Sequence, residues 1–202
     1  MLLYDNPASG NCWKVRLVLA RCGIAYERVT MSVTDRGDRE RTLGRDANPA
    51  LRVPTLRLDD GRHLAESNAI VWHLAELHDP DLIPADPFAR AQALQWMFFE
   101  QYDHEPNIAV ARFWLHIPGA PPHDPDALAA RQEGGRRALH AMEAHLTGRD
   151  YLVGDRFSVA DISLYAYTHV AGQAGIDLAP YPAVRAWLGR VAAQPGHVTL
   201  ED

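Results

Sequence analysis

The hydrophobic pattern of the chain changes near residue 78, and this change constrains the fold more than any other feature. Before it, short apolar runs of strand length alternate with amphipathic helical stretches; beyond it, no convincing strand pattern remains. Such a change within 202 residues is typical of two small domains, each with its own core. We predict an α/β domain over residues 1–78, a linker over 79–86 that is rich in proline and aspartate, and an all-helical domain over 87–202.

The first half begins with the order strand, helix, strand. Met1–Tyr4 is a short apolar run, and Tyr26–Val33 is predicted as the second strand. Between them, a helix over Asn11–Cys22 ends at Gly23. A charged stretch that follows, through Asp46, has room for a short helix. The apolar residues of the first helix recur at i, i+3, i+4 and i+7: Val15, Val18, Leu19 and Cys22.

A hairpin and a helix complete this half. Pro54–Leu58 alternates apolar and polar residues, Asp60-Gly61 is a turn signal, and His63–Ala65 is predicted as the returning strand. Ser67 is predicted to cap a helix. The buried face of that helix is formed by Ile70, Val71, Leu74 and Leu77. The first two strands are therefore expected to pair in parallel and the last two as an antiparallel hairpin.

The second half is predicted to contain only helices. Val159–Ala174 is apolar almost all round, which is typical of a helix buried inside a domain. Ser158 and Asp161 form a capping box before it, and Phe157 and Ile162 form a hydrophobic staple, so the Asp161 carboxylate is expected to serve folding rather than chemistry. The other predicted helices are Pro87–Leu115, interrupted near Pro106, and Asp126–Leu146 and Pro182–Ala193.

Charge and composition disfavour several classes of protein. The chain carries 26 acidic against 20 basic residues, so it lacks the positive field that attracts nucleic acid or anionic lipid. No apolar run approaches the roughly 20 residues that span a bilayer, and the first residues lack a signal-peptide pattern. Cys12 and Cys22 lie on one predicted helix, too far apart for a disulfide. We expect a cytoplasmic protein that binds neither nucleic acid nor membrane.

Three segments of the first half are candidates to meet around one small ligand. The loop Pro7–Cys12 lies between a strand and a helix, where open α/β sheets bind ligands. Val53-Pro54 opens a strand, and we hypothesise a cis peptide there, with backbone groups turned outward. Glu66-Ser67 stands at a helix N-terminus, which favours an anion, while the acid favours an ammonium. Together they suit a zwitterionic amino-acid head group.

The motifs that carry these features resemble those of the cytosolic glutathione transferase family. They are S-G-N-C-W-K-V-R (Ser9–Arg16), N-P-A-L-R-V-P-T-L (Asn48–Leu56), E-S-N-A-I (Glu66–Ile70) and F-S-V-A-D (Phe157–Asp161). The resemblance covers nearly the whole chain. It implies a thioredoxin-like glutathione-binding domain, an all-α domain carrying a hydrophobic substrate pocket, glutathione as co-substrate, no metal, and a homodimer formed by the Ser67–Leu77 helix and the helix from Pro87 onward.

The resemblance also implies roles for individual residues. Val53, before a cis Pro54, pairs its backbone with the cysteinyl part of glutathione, and Glu66 and Ser67 bind the γ-glutamyl head group. Arg52 occupies a place where relatives often have a polar or cationic residue near the glutathione backbone. Ser9 aligns with the serine of zeta-class relatives, which stabilises the glutathione thiolate as a hydrogen-bond donor. The thiolate then attacks a small hydrophobic electrophile, a detoxification reaction.

The chain departs from the zeta class at the next two positions. Gly10-Asn11 stands where those relatives have serine and cysteine, and Cys12 comes one residue later. Asn11 is a candidate to donate a hydrogen bond to the sulfur, as in bacterial and fungal relatives that reduce disulfides. The resemblance therefore leaves open conjugation, disulfide reduction or isomerisation, and also a non-catalytic, transferase-like stress regulator.

Several candidate residues have a plain structural interpretation beside the functional one. Ser9 suits a helix cap, Glu66-Ser67 an ordinary helix start, and Cys12 either packing or a mixed disulfide with glutathione. His140 and His145 are five residues apart, on different helix faces, which disfavours a metal site. The residues we predict to face the electrophile are three side chains of the aromatic stretch Trp96–Trp114, namely Tyr102, Arg112 and Trp114.

Overall fold

The computed structural model describes residues 1–200, and its contacts divide the chain into two units. Unit one comprises Met1–Pro80 together with the segment that begins at Pro195; unit two comprises Asp81–Gln194. The predicted fold class, an α/β unit followed by a helical unit, is confirmed. The predicted linker over 79–86 contains a 3-10 turn at Pro80–Leu82. Residues 201 and 202 of the predicted second domain lie outside the described part of the chain.

Unit one contains a four-stranded sheet in the order β2-β1-β3-β4. β1 pairs in parallel with β2, and it pairs antiparallel with β3, which forms a hairpin with β4. Both predicted pairings are therefore confirmed. The strands are β1 (Leu2–Asp5), β2 (Glu27–Thr30), β3 (Thr55–Arg57) and β4 (His63–Ala65). β2 is shorter than predicted because it is a largely exposed edge strand whose pairing ends at Thr30.

Helices α1 (Gly10–Arg21) and α3 (Ser67–His78) pack against each other in unit one, and α2 (Arg36–Thr42) fills part of the charged stretch. Most of the predicted apolar faces are fully buried: Val15, Val18, Leu19, Ile70, Val71 and Leu74. Two predicted residues are not: Leu77 is 60% exposed in the last turn of α3, and Cys22, the C-cap residue of α1, is only partly buried. Glu66, not Ser67, is the N-cap residue of α3, so the predicted capping role of Ser67 is wrong.

Unit two is built from five α-helices: α4 (Pro87–Phe99), α5 (Glu105–His116), α6 (Pro125–Leu146), α7 (Val159–Thr168) and α8 (Pro182–Ala192). All ten residues of α7 are buried, as its apolar composition predicts. The predicted helix over Val159–Ala174 is too long, however. α7 ends at Thr168, a 3-10 turn follows at Ala171–Ala174, and Gly175 then takes a left-handed conformation that no helix continues through.

The interruption predicted near Pro106 is a π-helical turn at Glu100–His104. Pro106 occupies the first turn of α5. Because proline has no backbone N–H, it cannot donate the i→i−4 hydrogen bond to Tyr102. The turn preceding it therefore widens, so that α4 and α5 are separate elements. No helix within residues 1–200 is both long enough and apolar enough to cross a membrane.

The segment from Pro195 to Leu200 returns to unit one, although the predicted boundary placed it in the helical domain. The indole of Trp13 donates to the Val198 carbonyl at 2.8 Å, and Arg16 donates to the Leu200 carbonyl at 2.6 Å. Both donors lie on α1 and are buried. The segment therefore supplies acceptors to polar groups that α1 carries into the interior.

Candidate functional site

The sheet register brings the three predicted ligand segments to one end of the sheet. Tyr4 pairs with Thr55, and Thr55 pairs with Ala65. The residues just after β1, just before β3 and just after β4 therefore lie together at this end of the sheet. These positions hold the turn that leads into α1, the Val53-Pro54 peptide and the corner that starts α3.

Ser9 is the N-cap residue of α1. Its Oγ accepts a hydrogen bond from Cys12 N at 3.3 Å, which is the capping role that its residue type favours. A hydroxyl that accepts a hydrogen bond retains its own proton for donation. The observed cap is therefore compatible with donation from Ser9 to a ligand sulfur, and the catalytic role of Ser9 stays a prediction.

Asn11 links the start of α1 to the start of α3. Ser67 Oγ donates to Asn11 Oδ1 at 3.2 Å, and Ser67 is only 4% exposed. Two residues 56 positions apart in the chain thus contact each other directly. This hydrogen bond joins the residue predicted near the sulfur to the residue predicted at the γ-glutamyl head group.

Lys14 is a member of this cluster that sequence reasoning missed. Its Nζ lies 3.3 Å from Ser67 Oγ and 3.3 Å from Asn68 Oδ1, and the side chain is fully buried. A signal for it was present, since Lys14 is the only lysine of the chain and follows Asn11 by one helical turn. A fully buried lysine is rare, because removing an ammonium group from water costs several kcal/mol, on the order of the penalty for any buried ion.

Glu66 adopts a strained backbone conformation at the corner between β4 and α3. Its φ is 69° and its ψ is 114°, a combination that non-glycine residues rarely adopt. Strain of this kind persists where the surrounding structure enforces it, often at ligand sites. The Glu66 side chain is exposed, and it makes no capping hydrogen bond to α3. The first N–H groups of α3 therefore form a candidate anion site, with a carboxylate beside them.

The predicted cis peptide between Val53 and Pro54 is present. Asn48, 3% exposed, holds the loop before it: its Nδ2 donates to Arg52 O at 3.1 Å and to Thr55 Oγ1 at 2.9 Å. Neither of these two hydrogen bonds involves Val53. The Arg52 side chain is exposed. The loop is therefore fixed on both sides of Val53, with the Arg52 side chain turned to solvent, and the roles of Arg52, Val53 and Pro54 stay predictions.

Cys12 is a poor candidate for a nucleophile. It is fully buried on α1 and accepts a hydrogen bond from Asn6 N at 3.4 Å. Burial strongly raises the pKa of its thiol, and the negative charge of Asp5 raises it further. A thiol in this environment stays protonated at neutral pH, and the thiolate is the reactive form. Packing explains Cys12 better than covalent chemistry does.

Asp5 anchors the turn beneath the site. It is fully buried at the end of β1, where its two carboxylate oxygens lie 2.7 Å from Arg16 Nη1 and 2.7 Å from Arg28 Nη2. Arg16 also donates to the Pro7 carbonyl at 3.3 Å. A buried ion pair is costly to break, since either charge left alone would lack a partner. This cluster therefore fixes the turn that carries Ser9.

The three residues predicted to face the electrophile do not share one surface of unit two. Tyr102 is 79% exposed, whereas Arg112 is 4% exposed and donates to Gln173 Oε1 at 2.6 Å. Burial lowers the pKa of the Arg112 guanidinium. Trp114 stacks on His123, with ring centroids 5.5 Å apart. Arg112 and Trp114, two positions apart on α5, point about 200° apart. Their substrate role stays a prediction.

The histidines that invited a metal interpretation bind carbonyl groups instead. His140 Nδ1 lies 2.8 Å from Arg136 O, and His145 Nε2 lies 2.8 Å from Leu152 O. Across residues 1–200, no three histidine, cysteine, aspartate or glutamate side chains form a group that could hold a metal ion.

Comparison with known proteins gives the same architecture. Residues 8–77 match the family description "Glutathione S-transferase, N-terminal domain", and residues 107–195 match "Glutathione S-transferase, C-terminal domain". A crystal structure of a possible glutathione S-transferase from Rhodopseudomonas palustris is 45% identical, with a TM-score of 0.92 over 99% of this chain and 97% of that one.

Curated relatives carry more than one activity in their names. A probable maleylacetoacetate isomerase from Caenorhabditis elegans is 31% identical over 91% of this chain and 84% of its own length. The disulfide-bond oxidoreductase YfcG of Escherichia coli is 28% identical over 96% of this chain and 90% of its own length. Given the two matched domains in family order and these identities, the chain belongs to the glutathione S-transferase family and is an enzyme of that family.

Proposed function

We propose that this enzyme binds glutathione at the end of the sheet where these three segments meet. It ionises the glutathione thiol there and transfers glutathione to a small hydrophobic electrophile. The observation that carries the proposal is the hydrogen bond between Ser67 Oγ and Asn11 Oδ1. It places the residue proposed for the head group in direct contact with the residue proposed for the sulfur. A bound tripeptide is then held at its γ-glutamyl end and at its central cysteine by one connected set of side chains.

The head group is proposed to bind at the start of α3. The first backbone N–H groups of the helix, which include that of Ser67, and the helix dipole favour the α-carboxylate of the γ-glutamyl residue. The exposed carboxylate of Glu66 favours the ammonium group of the same residue. The cysteinyl backbone pairs with Val53, and Arg52 lies beside it in the chain. This arrangement recognises glutathione by charge at one end and by backbone pairing at the middle.

The sulfur is proposed to lie at the N-terminus of α1. The Ser9 hydroxyl and the Nδ2 group of Asn11 are donors, and a donor stabilises a thiolate more than a thiol. The positive end of the α1 dipole acts in the same direction. The thiolate attacks the electrophilic carbon, so that a carbon–sulfur bond forms as the leaving group departs with its electron pair. The proton of the thiol passes to solvent before this step.

The test measures the pKa of the thiol of bound glutathione, using the ultraviolet absorbance of the thiolate as the signal. Ser9→Ala and Asn11→Ala should each raise that pKa by about one unit and lower kcat/KM at pH 6.5 about tenfold. Conjugation of a chlorinated nitroarene provides the rate. Ser9→Thr, which keeps the hydroxyl, is the matched control and should retain most of the activity. An unchanged thiol pKa in Ser9→Ala would remove Ser9 from the site.

A glutathione-dependent disulfide reductase or isomerase is the second candidate. The presence of Asn11 at the start of α1 and the E. coli relative named a disulfide-bond oxidoreductase favour reduction; the relatives named maleylacetoacetate isomerase favour isomerisation. Comparing the rate of nitroarene conjugation with the rate of reduction of a small mixed disulfide separates conjugation from disulfide reduction. Failure to bind a glutathione-affinity column would instead support a non-catalytic protein.

The assembly and compartment of the enzyme follow as further parts of the proposal. We propose a homodimer formed through the α4 apolar face, which consists of Phe88, Leu94, Phe98 and Tyr102, 72%, 38%, 62% and 79% exposed. At 100° per residue these side chains fall within an arc of about 120°. Neither Cys12 nor Cys22 forms a disulfide, which agrees with a reducing cytoplasm and a role in detoxification.

A further inference from the structure

Lys14 occupies a position from which it orders the hydrogen bonds of the proposed site. Its ammonium lies 3.3 Å from Ser67 Oγ, and Ser67 Oγ in turn donates to Asn11 Oδ1 at 3.2 Å. Lys14 and Ser67 are both buried, at 0% and 4% exposure. The three side chains form a continuous path from the interior of unit one to the start of α1.

The direction of these bonds follows from the chemistry of the groups. An ammonium group only donates, so Ser67 Oγ accepts from Lys14. A hydroxyl has a single proton, and Ser67 gives it to the amide oxygen of Asn11. The Asn11 oxygen is thereby held against Ser67, so the NH2 end of the amide is turned away from it. Without the ammonium, Ser67 and the Asn11 amide could reverse, and the amide oxygen would then face a thiolate.

We infer that Lys14 is a positioning residue for the transfer reaction: its ammonium sets the direction of the Lys14–Ser67–Asn11 path and so keeps the Asn11 amide as a donor to the glutathione sulfur. The inference rests on the proposed function, because it assumes that the sulfur lies at Asn11. Lys14 itself does not touch the reacting atoms.

The test compares Lys14→Met, Asn11→Ala and the double variant by the thiol pKa of bound glutathione at saturation. Lys14→Met should raise that pKa by about one unit, with a corresponding fall in kcat/KM of about tenfold at pH 6.5. Lys14→Arg, which is also donor-only, should restore most of the wild-type value. The double variant should show no larger shift than Asn11→Ala alone, because both act through one path.

The controls separate this inference from loss of folding and from failure of the proposed function. Val15→Ala removes buried methyl groups from the same helix and should leave the thiol pKa unchanged. Wild-type enzyme that does not bind glutathione as a thiolate would overturn the proposed function itself. If the wild type does form the thiolate, either of two results would overturn only the role of Lys14. These are an unchanged thiol pKa in folded Lys14→Met and additive pKa shifts in the double variant.

A measurement on the unmutated lysine keeps the test decisive if Lys14→Met does not fold. Because Lys14 is the only lysine, labelling lysine with 15N at Nζ gives a single ammonium resonance. That resonance should shift when glutathione binds, and it should shift in Ser67→Ala. A resonance that responds to neither change would contradict the inference.

Discussion

Asp161 is the residue that most clearly ties a sequence motif to stability. It is fully buried in the capping box of α7, where Oδ2 accepts from Ser158 N at 2.9 Å and from Ser158 Oγ at 3.0 Å. Oδ1 accepts from Leu152 N at 3.0 Å and from Trp187 Nε1 at 2.8 Å. The predicted box is thus confirmed, and it extends further than predicted, because the same carboxylate also holds a loop and a residue of α8.

Replacing Asp161 with asparagine should destabilise the protein almost as much as replacing it with alanine. Every partner of the carboxylate is a donor, so the NH2 group of asparagine would face a donor where an acceptor is required. We expect a loss of about 3 kcal/mol in the free energy of unfolding, the scale of breaking a buried polar network. Urea denaturation of both variants measures it; a near-wild-type Asp161→Asn would show that one oxygen is sufficient.

The same residue predicts a pH dependence of stability. Burial raises the pKa of Asp161 to about 6, against its hydrogen bonds, which lower it. Between about pH 4 and pH 6 the Asp161 carboxyl group is therefore protonated in the folded state but ionised in the unfolded state. The resulting stabilisation is present in full below pH 4 and is lost as the pH rises through 6. The stability difference between wild type and Asp161→Asn should be about 2 kcal/mol larger at pH 4.5 than at pH 7.

At the scale of elements, α1 depends on a segment that is distant in sequence. The indole of Trp13 and the guanidinium of Arg16 donate to the carbonyls of Val198 and Leu200, and Arg21 Nη1 lies 3.4 Å from the Pro195 carbonyl. Trp13 and Arg16 are buried, so without these acceptors they would remain in the interior with donors unsatisfied. Each such donor costs about 1–3 kcal/mol.

A chain that ends at Gln194 should therefore unfold at a lower temperature than the full chain. Loss of the acceptors for Trp13 and Arg16 corresponds to a fall in Tm of about 5–10 °C for a protein of this size. The matched control ends at Leu200 and keeps all three of these hydrogen bonds. Thermal unfolding by circular dichroism measures both; equal Tm values for the two truncations would show that α1 does not depend on the returning segment.

Periodicity predicted the elements of both units because burial of an apolar face repeats at the spacing of a helix or strand. Val15, Val18 and Leu19 identify α1 in this way, and the alternation before Asp60-Gly61 identifies the hairpin. The C-terminal return has no such signal. Its hydrogen bonds to α1 are accepted by backbone carbonyls, which every residue possesses, so the pattern of side chains cannot reveal them.

The candidate site was predictable only as far as its local motifs. Ser9, Asn11 and Glu66-Ser67 each stand at a helix start, which the sequence marks by residue type. The contact between Asn11 and Ser67 and the burial of Lys14 depend on how α1 and α3 pack, which is a tertiary property. The conformation of Glu66 likewise follows from the junction of β4 and α3, since glutamate has no intrinsic preference for a positive φ.

At the scale of the whole molecule, the α4 apolar face is a hydrophobic surface that no element within residues 1–200 covers. Phe88 and Phe98 are 72% and 62% exposed, and Tyr102 is 79% exposed. Aromatic side chains exposed together on one face are unfavourable in water and typical of protein interfaces. The face belongs to one helix and the turn after it, so a two-fold axis can place it against the same face of a second copy.

Paired substitutions distinguish the proposed homodimer from nonspecific association through exposed apolar side chains. The wild type should sediment at twice the chain mass of 22.5 kDa, and Phe88→Asp/Phe98→Asp should sediment at the chain mass, because burying two carboxylates per copy opposes association. Leu115→Asp is the control, since Leu115 is also apolar and 46% exposed but lies on α5. It should remain dimeric. A double variant that sediments with the wild type would exclude the α4 apolar face as the interface, whereas a monomeric Leu115→Asp would place the contact on α5, because a single charge can break an interface only where it is buried.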